Sequence, residues 1–379
     1  VVFSLWTIFA LLFVKPPKGP DLSKFQYSLD EQIGQLFMVG FKGLEVDESS
    51  RIIQDIKTLH LGGVLLFDKD FEKVEDGPDG KPVYRVLPTR NIDSGAQVKR
   101  LTAALQAASQ PLPLLIAVDQ EGGKVVRLSP EKGFPETVSA ALMGQINCIR
   151  YTYDQAERMG DWLFDLGINL NLAPCVDLAI NPRNPVVYQK DRAFHEDAHI
   201  TEIHAKGFIE GLHEAGVLSC IKHFPGHGSS DEASESGFVN ISKSWKQAEL
   251  KPYEFLNRHK LTDMIMVGHL YCERLDPVYP ATLSKDLITG LLRERMGYQG
   301  VVVTDDIQMR ALYGRYTLEQ IIHKGLDAGV DVFIIANTTH YDPEAATRAV
   351  GIVKDLVASG KVSPQRIRQS FERILLLKM

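Results

Sequence analysis

A chain of 379 residues that is 44% hydrophobic and 24% charged has apolar material for a large core, and nothing in it resembles a repeat or low-complexity tract. Its 42 Lys and Arg against 48 Asp and Glu leave a net charge of −6, which excludes the basic footprint of a nucleic-acid binder. Four scattered cysteines (Cys148, Cys175, Cys220, Cys272) form no CxxC pair, so a disulfide framework or thiolate metal cage is excluded and buried, reduced packing residues are expected.

In chain order, the first segment is Val1–Val14 (VVFSLWTIFALLFV), apolar throughout and followed by Lys15-Pro16-Pro17-Lys18-Gly19-Pro20. Its 14 residues are too few to span a bilayer comfortably. The length suits the core of a signal peptide whose charged start is missing, with a truncated membrane anchor as the rival and a buried barrel element as the plain alternative. The Pro-rich break favours targeting. That reading places the protein outside the cytoplasm, periplasmic or secreted, with membrane association through this segment as the second expectation. No Cys follows the run, so a lipoprotein anchor has no support.

From Asp21 onward the pattern changes. Apolar runs of strand length occur at Gln35–Phe41, Gly62–Asp68, Leu114–Gln120, Asn169–Leu178, Ser219–Gly226, Asp263–Leu270, Gly300–Asp306 and Asp331–Asn337. Helix-length amphipathic segments lie between most of them, such as Ala96–Ala108, Tyr153–Leu166, Ile200–Ala215, Ser284–Arg295 and Thr317–Ala328. Near-continuous β-branched runs alternating with helices indicate a parallel sheet covered by helices. Eight such units over residues 21–379 predict a single α/β domain, a (β/α)₈ TIM barrel, closed by helices at Glu344–Ser359 and Pro364–Leu377.

The strand ends then carry the chemistry. The third delivers Asp119-Gln120-Glu121-Gly122-Gly123 with Arg127 close behind, and the fourth leads to Asp191-Arg192. The fifth ends in Lys222-His223-Phe224-Pro225-Gly226-His227-Gly228, the sixth in His269 and the seventh in Asp305-Asp306. Each residue has a bland alternative: Asp119 as a turn cap, Lys222 as half of a structural ion pair, His223 as a satisfied core histidine. Their convergence on one barrel face favours function. His223 and His227 have the spacing of helical zinc ligands, but Pro225 and Gly226 between them argue against a helix and so against that site. Nor is there a Gly-rich phosphate loop or nucleotide fingerprint. Carboxylates set among Lys, Arg and His suit a polyhydroxylated substrate, and glycoside hydrolysis needs a carboxylate nucleophile and a second proton donor.

Four stretches, Val118–Gly123 with Arg127, Asp191-Arg192-Ala193-Phe194, Lys222–Gly228 (KHFPGHG) and Thr304-Asp305-Asp306-Ile307-Gln308-Met309, resemble the family 3 glycoside hydrolases, specifically the single-barrel β-N-acetylglucosaminidases of the peptidoglycan-recycling type. The resemblance covers roughly Phe25 to Met379 and implies a retaining, exo-acting enzyme on cell-wall (GlcNAc–MurNAc) or chitin-type oligosaccharides. It assigns Asp305 as nucleophile and Asp119, Arg127, Arg192, Lys222 and His223 to the sugar ring, with His269 lining the same pocket. It implies no cofactor, a carbohydrate as the small-molecule partner, and a monomer. A β-glucosidase is the same-fold alternative, disfavoured by KHFPGHG and by the absence of a second α/β domain.

Two departures stand out. The family's proton donor is an Asp-x-His dyad on the loop after KHFPGHG, and its positions fall here on Ala233 and Glu235. Three readings follow: Glu235 acts directly as general acid/base; Asp231 or Glu232 reaches the site; or the protein is a weak hydrolase or non-catalytic sugar sensor. The first is preferred. The second departure is an insert, Asp68–Thr89, which reads as a long loop or small hairpin placed either to wall the cleft or as neutral decoration.

Overall fold

The computed structural model describes residues 26–76, 82–109, 111–234, 237–338 and 341–379. The apolar segment Val1–Val14 and Glu235 lie outside the described residues. Among the described residues, no helix is long and apolar enough to cross a membrane.

Eight parallel strands close into a barrel, as the alternation of apolar runs and helices predicts. They are β1 (Phe37–Gly40), β2 (Gly63–Leu65), β5 (Leu115–Val118), β6 (Leu170–Asn171), β7 (Leu218–Phe224), β9 (Met264–Val267), β11 (Val301–Asp306) and β12 (Val332–Ile335). Closure runs through β1, which pairs Met38 with Gly63 of β2 on one side and with Ile334 of β12 on the other. Residues on both faces of these strands are buried, because one face fills the barrel interior and the other meets the helices. Four further strands lie outside the barrel: β3 (Asp70–Asp76) pairs with β4 (Pro82–Leu87), and β8 (Val239–Asn240) with β10 (Leu270–Tyr271).

The fourth barrel strand is shorter than its apolar run. Regular pairing stops at Asn171, and Leu172–Leu178 continues as irregular buried chain. Pro174 supplies no N–H for a ladder, and the segment stays beside β7 through an isolated bridge from Cys175 to Lys222, the Cys220 N–H to the Ala173 carbonyl at 3.0 Å, and Asp177 against His223. The helix expected at Tyr153–Leu166 begins earlier, at Ile149, and packs closely on the helix Ala198–Glu214. Gly211 permits that approach: a Cβ there would stand 2.5 Å from the carbonyl oxygen of Tyr153. Three cysteines are buried as expected, whereas Cys148 is exposed at a helix N-terminus.

At the end of the barrel opposite the strand C-termini, Asp331 gathers the chain's last helix, Pro364–Lys378. Its Oδ1 accepts from Ser370 Oγ at 2.6 Å and from Arg373 at 3.0 Å; its Oδ2 accepts from Arg293 and from the Val302 N–H. At the C-terminal end, the insert is a hairpin rather than an open loop. Asp70, opposite Leu87 in the β3–β4 pair, anchors it through Lys42 and Arg90, each at 2.6 Å. The Arg90 side chain is fully buried and also donates to the carbonyls of Phe41 (2.8 Å) and Asn337 (2.7 Å), so one guanidinium ties the hairpin to the loops after β1 and β12.

Candidate active site

The turn after β5 sets the first part of the site. Gly122 and Gly123 both take positive φ (99° and 60°), and a Cβ at Gly122 would meet the Val138 carbonyl at 2.1 Å. This reversal lets the buried Gln120 accept from the N–H groups of Arg127 (3.0 Å) and Leu128 (3.1 Å). Arg127 is thereby held beside Asp119, donating from Nη2 to Oδ2 at 3.1 Å.

From there the charges interlock across strands. Lys222 on β7 places Nζ 2.8 Å from Asp119 Oδ1 and 2.7 Å from Glu121 Oε1. Glu121 accepts both arms of Arg192, Nε at 2.8 Å and Nη2 at 2.7 Å, the bidentate geometry a guanidinium favours. Arg192 Nη2 lies 3.3 Å from His223 Nε2, and His223 Nδ1 lies 2.7 Å from Asp177 Oδ2. Because Asp177 only accepts, the proton of neutral His223 belongs on Nδ1 and its Nε2 accepts from Arg192. The other oxygen of Asp177 accepts from the N–H of His227 at 2.7 Å and of His223 at 3.2 Å.

Burial alone would raise the carboxyl pKa values here, but the cations win. Lys222 and Arg127 hold Asp119 well below the usual carboxylate range, and Arg192 with Lys222 brings Glu121 down to about 2. Burial likewise opposes the charge on Lys222, yet Asp119 and Glu121 push it above its ordinary value. The network is therefore ionised throughout the neutral range, presenting fixed donors and acceptors without reorganisation.

Both acids of β11 line a cavity of about 600 Å³ together with Asp119, Arg192, Lys222 and His223. Asp305 accepts the Asp306 N–H at 2.8 Å and makes no ion pair among the described residues. Asp306 Oδ1 is occupied by the N–H groups of Ala336 (2.9 Å) and Gln308 (3.1 Å). Burial raises the Asp306 carboxyl to about 7, against those two hydrogen bonds and with the help of Asp305. The two acids thus differ in availability, with Asp305 the less engaged.

His269 departs from its expected place. It is not among the residues lining the cavity; it is buried, with Nε2 2.8 Å from the Asp306 carbonyl and Nδ1 2.7 Å from Thr282 Oγ1. Its side chain instead holds the end of β11 through the Asp306 carbonyl.

The loop after β7 separates the proton-donor candidates. Asp231 is exposed and bound away from the cavity by Asn181 (2.9 Å) and Arg183 (3.3 Å), and Glu232 is exposed and does not line it. Ala233 packs on a small apolar cluster of Cys175, Val186, Val187 and Ala193, while the buried Ser234 reaches the cavity wall. Glu235 follows directly, outside the described residues. The insert does meet the cavity, through Asp68, Lys69 and Phe71.

Sequence reasoning gave no sugar-site role to four participants: Glu121, His227 and Asp306, which stand inside its motifs, and Asp177, which it did not single out. Asp177 had a signal, an acid inside the otherwise apolar run Leu172–Leu178. His227 lines the cavity with Nδ1 2.6 Å from Ser230 Oγ, which donates onward to the Glu232 carbonyl, so the His227 proton sits on Nδ1 and its buried Nε2 has no partner among the described residues. Burial, then the neighbouring His223, lowers this imidazole to about 4 and keeps it neutral.

A closed parallel barrel with a strand-end carboxylate, in no ion pair among the described residues, facing an ionised donor and acceptor lattice has the parts a carbohydrate-active barrel needs. The chain belongs to glycosyl hydrolase family 3, whose N-terminal domain it matches over residues 28–377. It is 32% identical over 319 residues to "Beta-hexosaminidase A" of Pseudoalteromonas piscicida, covering 77% of this chain and 52% of that one. With "Beta-hexosaminidase" of Xylella fastidiosa (strain M23) it shares 34% over 277 residues, 71% of this chain and 78% of the relative. Among solved structures, a glycoside hydrolase family 3 beta-N-acetylglucosaminidase from Paenibacillus sp. str. FPU-7 superposes with a TM-score of 0.81 at 32% identity, over 93% of this chain and 62% of that one. Beta-N-acetylhexosaminidase from Beutenbergia cavernae DSM 12333 gives 0.77 at 28% identity, over 93% and 99%. The chain thus spans about half the length of the Pseudoalteromonas relative and most of the Xylella one.

Proposed function

We propose that the protein is a retaining, exo-acting β-N-acetylglucosaminidase with Asp305 as nucleophile. The observation that carries this is Asp305 at the end of β11, in no ion pair among the described residues and sharing one cavity with the Asp119–Lys222–Glu121–Arg192 lattice. In this reading Asp119, Arg127, Arg192, Lys222 and His223 orient the sugar. Asp305 attacks the anomeric carbon to form a glycosyl-enzyme, and the leaving oxygen takes a proton from the general acid. Water then attacks that intermediate, giving its proton to the same group and releasing the sugar with retained configuration. Glu235 is the proposed acid/base, next in sequence to Ser234 in the cavity wall.

Two lysines lining the cavity, Lys69 and Lys190, make no ion pair among the described residues and favour an acidic aglycone, such as a muramic acid residue, over a neutral chitin unit. Placement outside the cytoplasm, where cell-wall fragments arise, belongs to the same proposal. A second reading, a sugar-binding protein with little turnover, is favoured by Asp231 facing away and the half-buried Ala233 resting on apolar neighbours.

The test compares wild type, Asp305→Asn and Glu235→Ala on 4-nitrophenyl β-N-acetylglucosaminide and on the GlcNAc–MurNAc disaccharide. Turnover of both substrates by wild type and neither by Asp305→Asn is expected. Glu235→Ala should slow the disaccharide by about 10²–10⁴-fold and the activated glycoside far less. Sugar binding without turnover of either substrate would move the protein to the second reading.

A further inference from the structure

Behind the wall of the cavity, three donor atoms of different softness meet. Cys175 Sγ donates to Asp177 Oδ2 at 3.2 Å, His223 Nδ1 approaches the same oxygen at 2.7 Å, and the three atoms lie within 4.8 Å of one another. All three side chains are buried. Zinc bonds of about 2.0 Å to nitrogen and oxygen and 2.3 Å to sulfur, in tetrahedral geometry, separate their ligand atoms by roughly 3–4 Å, so these donors need only small shifts to close on an ion.

The surroundings suit a cation as well. Asp177 is already oriented by the His227 and His223 N–H groups on its other oxygen, the outer-shell support a ligating carboxylate usually has. Nearby, Lys222 and Arg192 are matched by Asp119 and Glu121. A Cys175 thiolate and the Asp177 carboxylate therefore remain to balance two positive charges. Access comes from the cavity, since His223 and Val186 line it and Val186 packs in the same cluster as Cys175. These donors differ from the His223 and His227 pair disfavoured on spacing.

We propose that Cys175, Asp177 and His223 form a site for Zn²⁺, entered from the cavity, whose occupation inhibits the protein. On binding, the thiol proton leaves to solvent and the imidazole proton passes from Nδ1 to Nε2, so His223 stays neutral while its Nδ1 lone pair meets the metal. Nε2–H then faces Arg192 Nη2, donor against donor at the present 3.3 Å, and that contact is lost. The inhibition rests on His223 serving the sugar site; the binding of metal does not.

The experiment reads binding and inhibition separately. In a Cys148→Ser background, which removes the exposed thiol, Cd²⁺ is titrated while thiolate-to-metal charge-transfer absorption is followed. One equivalent should saturate the signal, and Cys175→Ser, which keeps a donor to Asp177, should abolish it with an unchanged circular dichroism spectrum. Cys175→Ala is the second variant should Ser disturb folding. Absence of the signal, or its survival in both variants, would overturn the site. On the activated glycoside, Cys175→Ser should raise the Zn²⁺ concentration for half-inhibition at least tenfold. Equal sensitivity would overturn the inhibitory role. A protein without glycosidase turnover would still report the site through Cd²⁺.

Discussion

Lys222 carries the site at the scale of single residues, because two buried carboxylates depend on one ammonium. Lys222→Met should cost about 3–5 kcal/mol, as for other broken buried pairs, since Asp119 and Glu121 would remain enclosed with one cation fewer. Urea unfolding measures this, and a loss under 1 kcal/mol would mean water replaces the ammonium. Asp306 makes a pH-dependent case. The folded carboxyl holds its proton up to about pH 7, whereas an unfolded aspartate releases it near 4. Its contribution to stability is thus complete below about pH 4 and lost as the pH rises to 7. Asp306→Asn keeps the acceptor for Ala336 and Gln308 and should flatten the fall in stability across that window. Parallel wild-type and variant curves of urea midpoint against pH would refute the assignment. The strand-end residues were legible because each closes an apolar run. Glu121 and Asp177 were not, because their roles arise only when β5, β7 and the chain after β6 lie side by side.

Among the elements, the β3–β4 hairpin reaches the barrel's mouth, with Phe71 in the cavity wall. Its composition announced a surface excursion but left its geometry open, since Pro and Gly mark turns without saying which flanking residues pair. The outcome turns on Arg90, whose three acceptors lie on β3 and on the loops after β1 and β12. Asp70→Ala should loosen the hairpin and raise KM for an oligosaccharide several-fold, with kcat on a small aryl glycoside little changed. Steady-state kinetics on both substrates decide it, and an equal fall in kcat on each would show that the hairpin supports the reacting centre instead. Sequence overestimated β6 for a complementary reason: hydropathy records burial, and Leu172–Leu178 is buried without being a strand.

The whole molecule separates holding from working. Carboxylates at the strand C-termini line the cavity, while Asp331 at the opposite end fastens the last helix to β11 and β12. Asp331→Ala should therefore destabilise by about 2–4 kcal/mol, leaving three half-buried guanidinium groups without their buried acid, while activity per folded molecule stays near wild type. Thermal unfolding and active-site titration together test this division, and a comparable loss of specific activity would contradict it. Eight strands were readable from sequence because parallel strands buried on both faces cannot hide among polar residues. The loop that ought to supply a proton was not, because its residues answer to contacts rather than to periodicity.

Ala233 has a practical consequence for anyone rebuilding the family dyad here. Grafting an aspartate onto that position would drop a charge among Cys175, Val186, Val187 and Ala193, where the one donor side chain, the Cys175 thiol, is already given to Asp177. Ala233→Asp with Glu235→His should therefore fail as a pair, whereas the same graft combined with Val187→Asn would first give the carboxylate a donor to rest against.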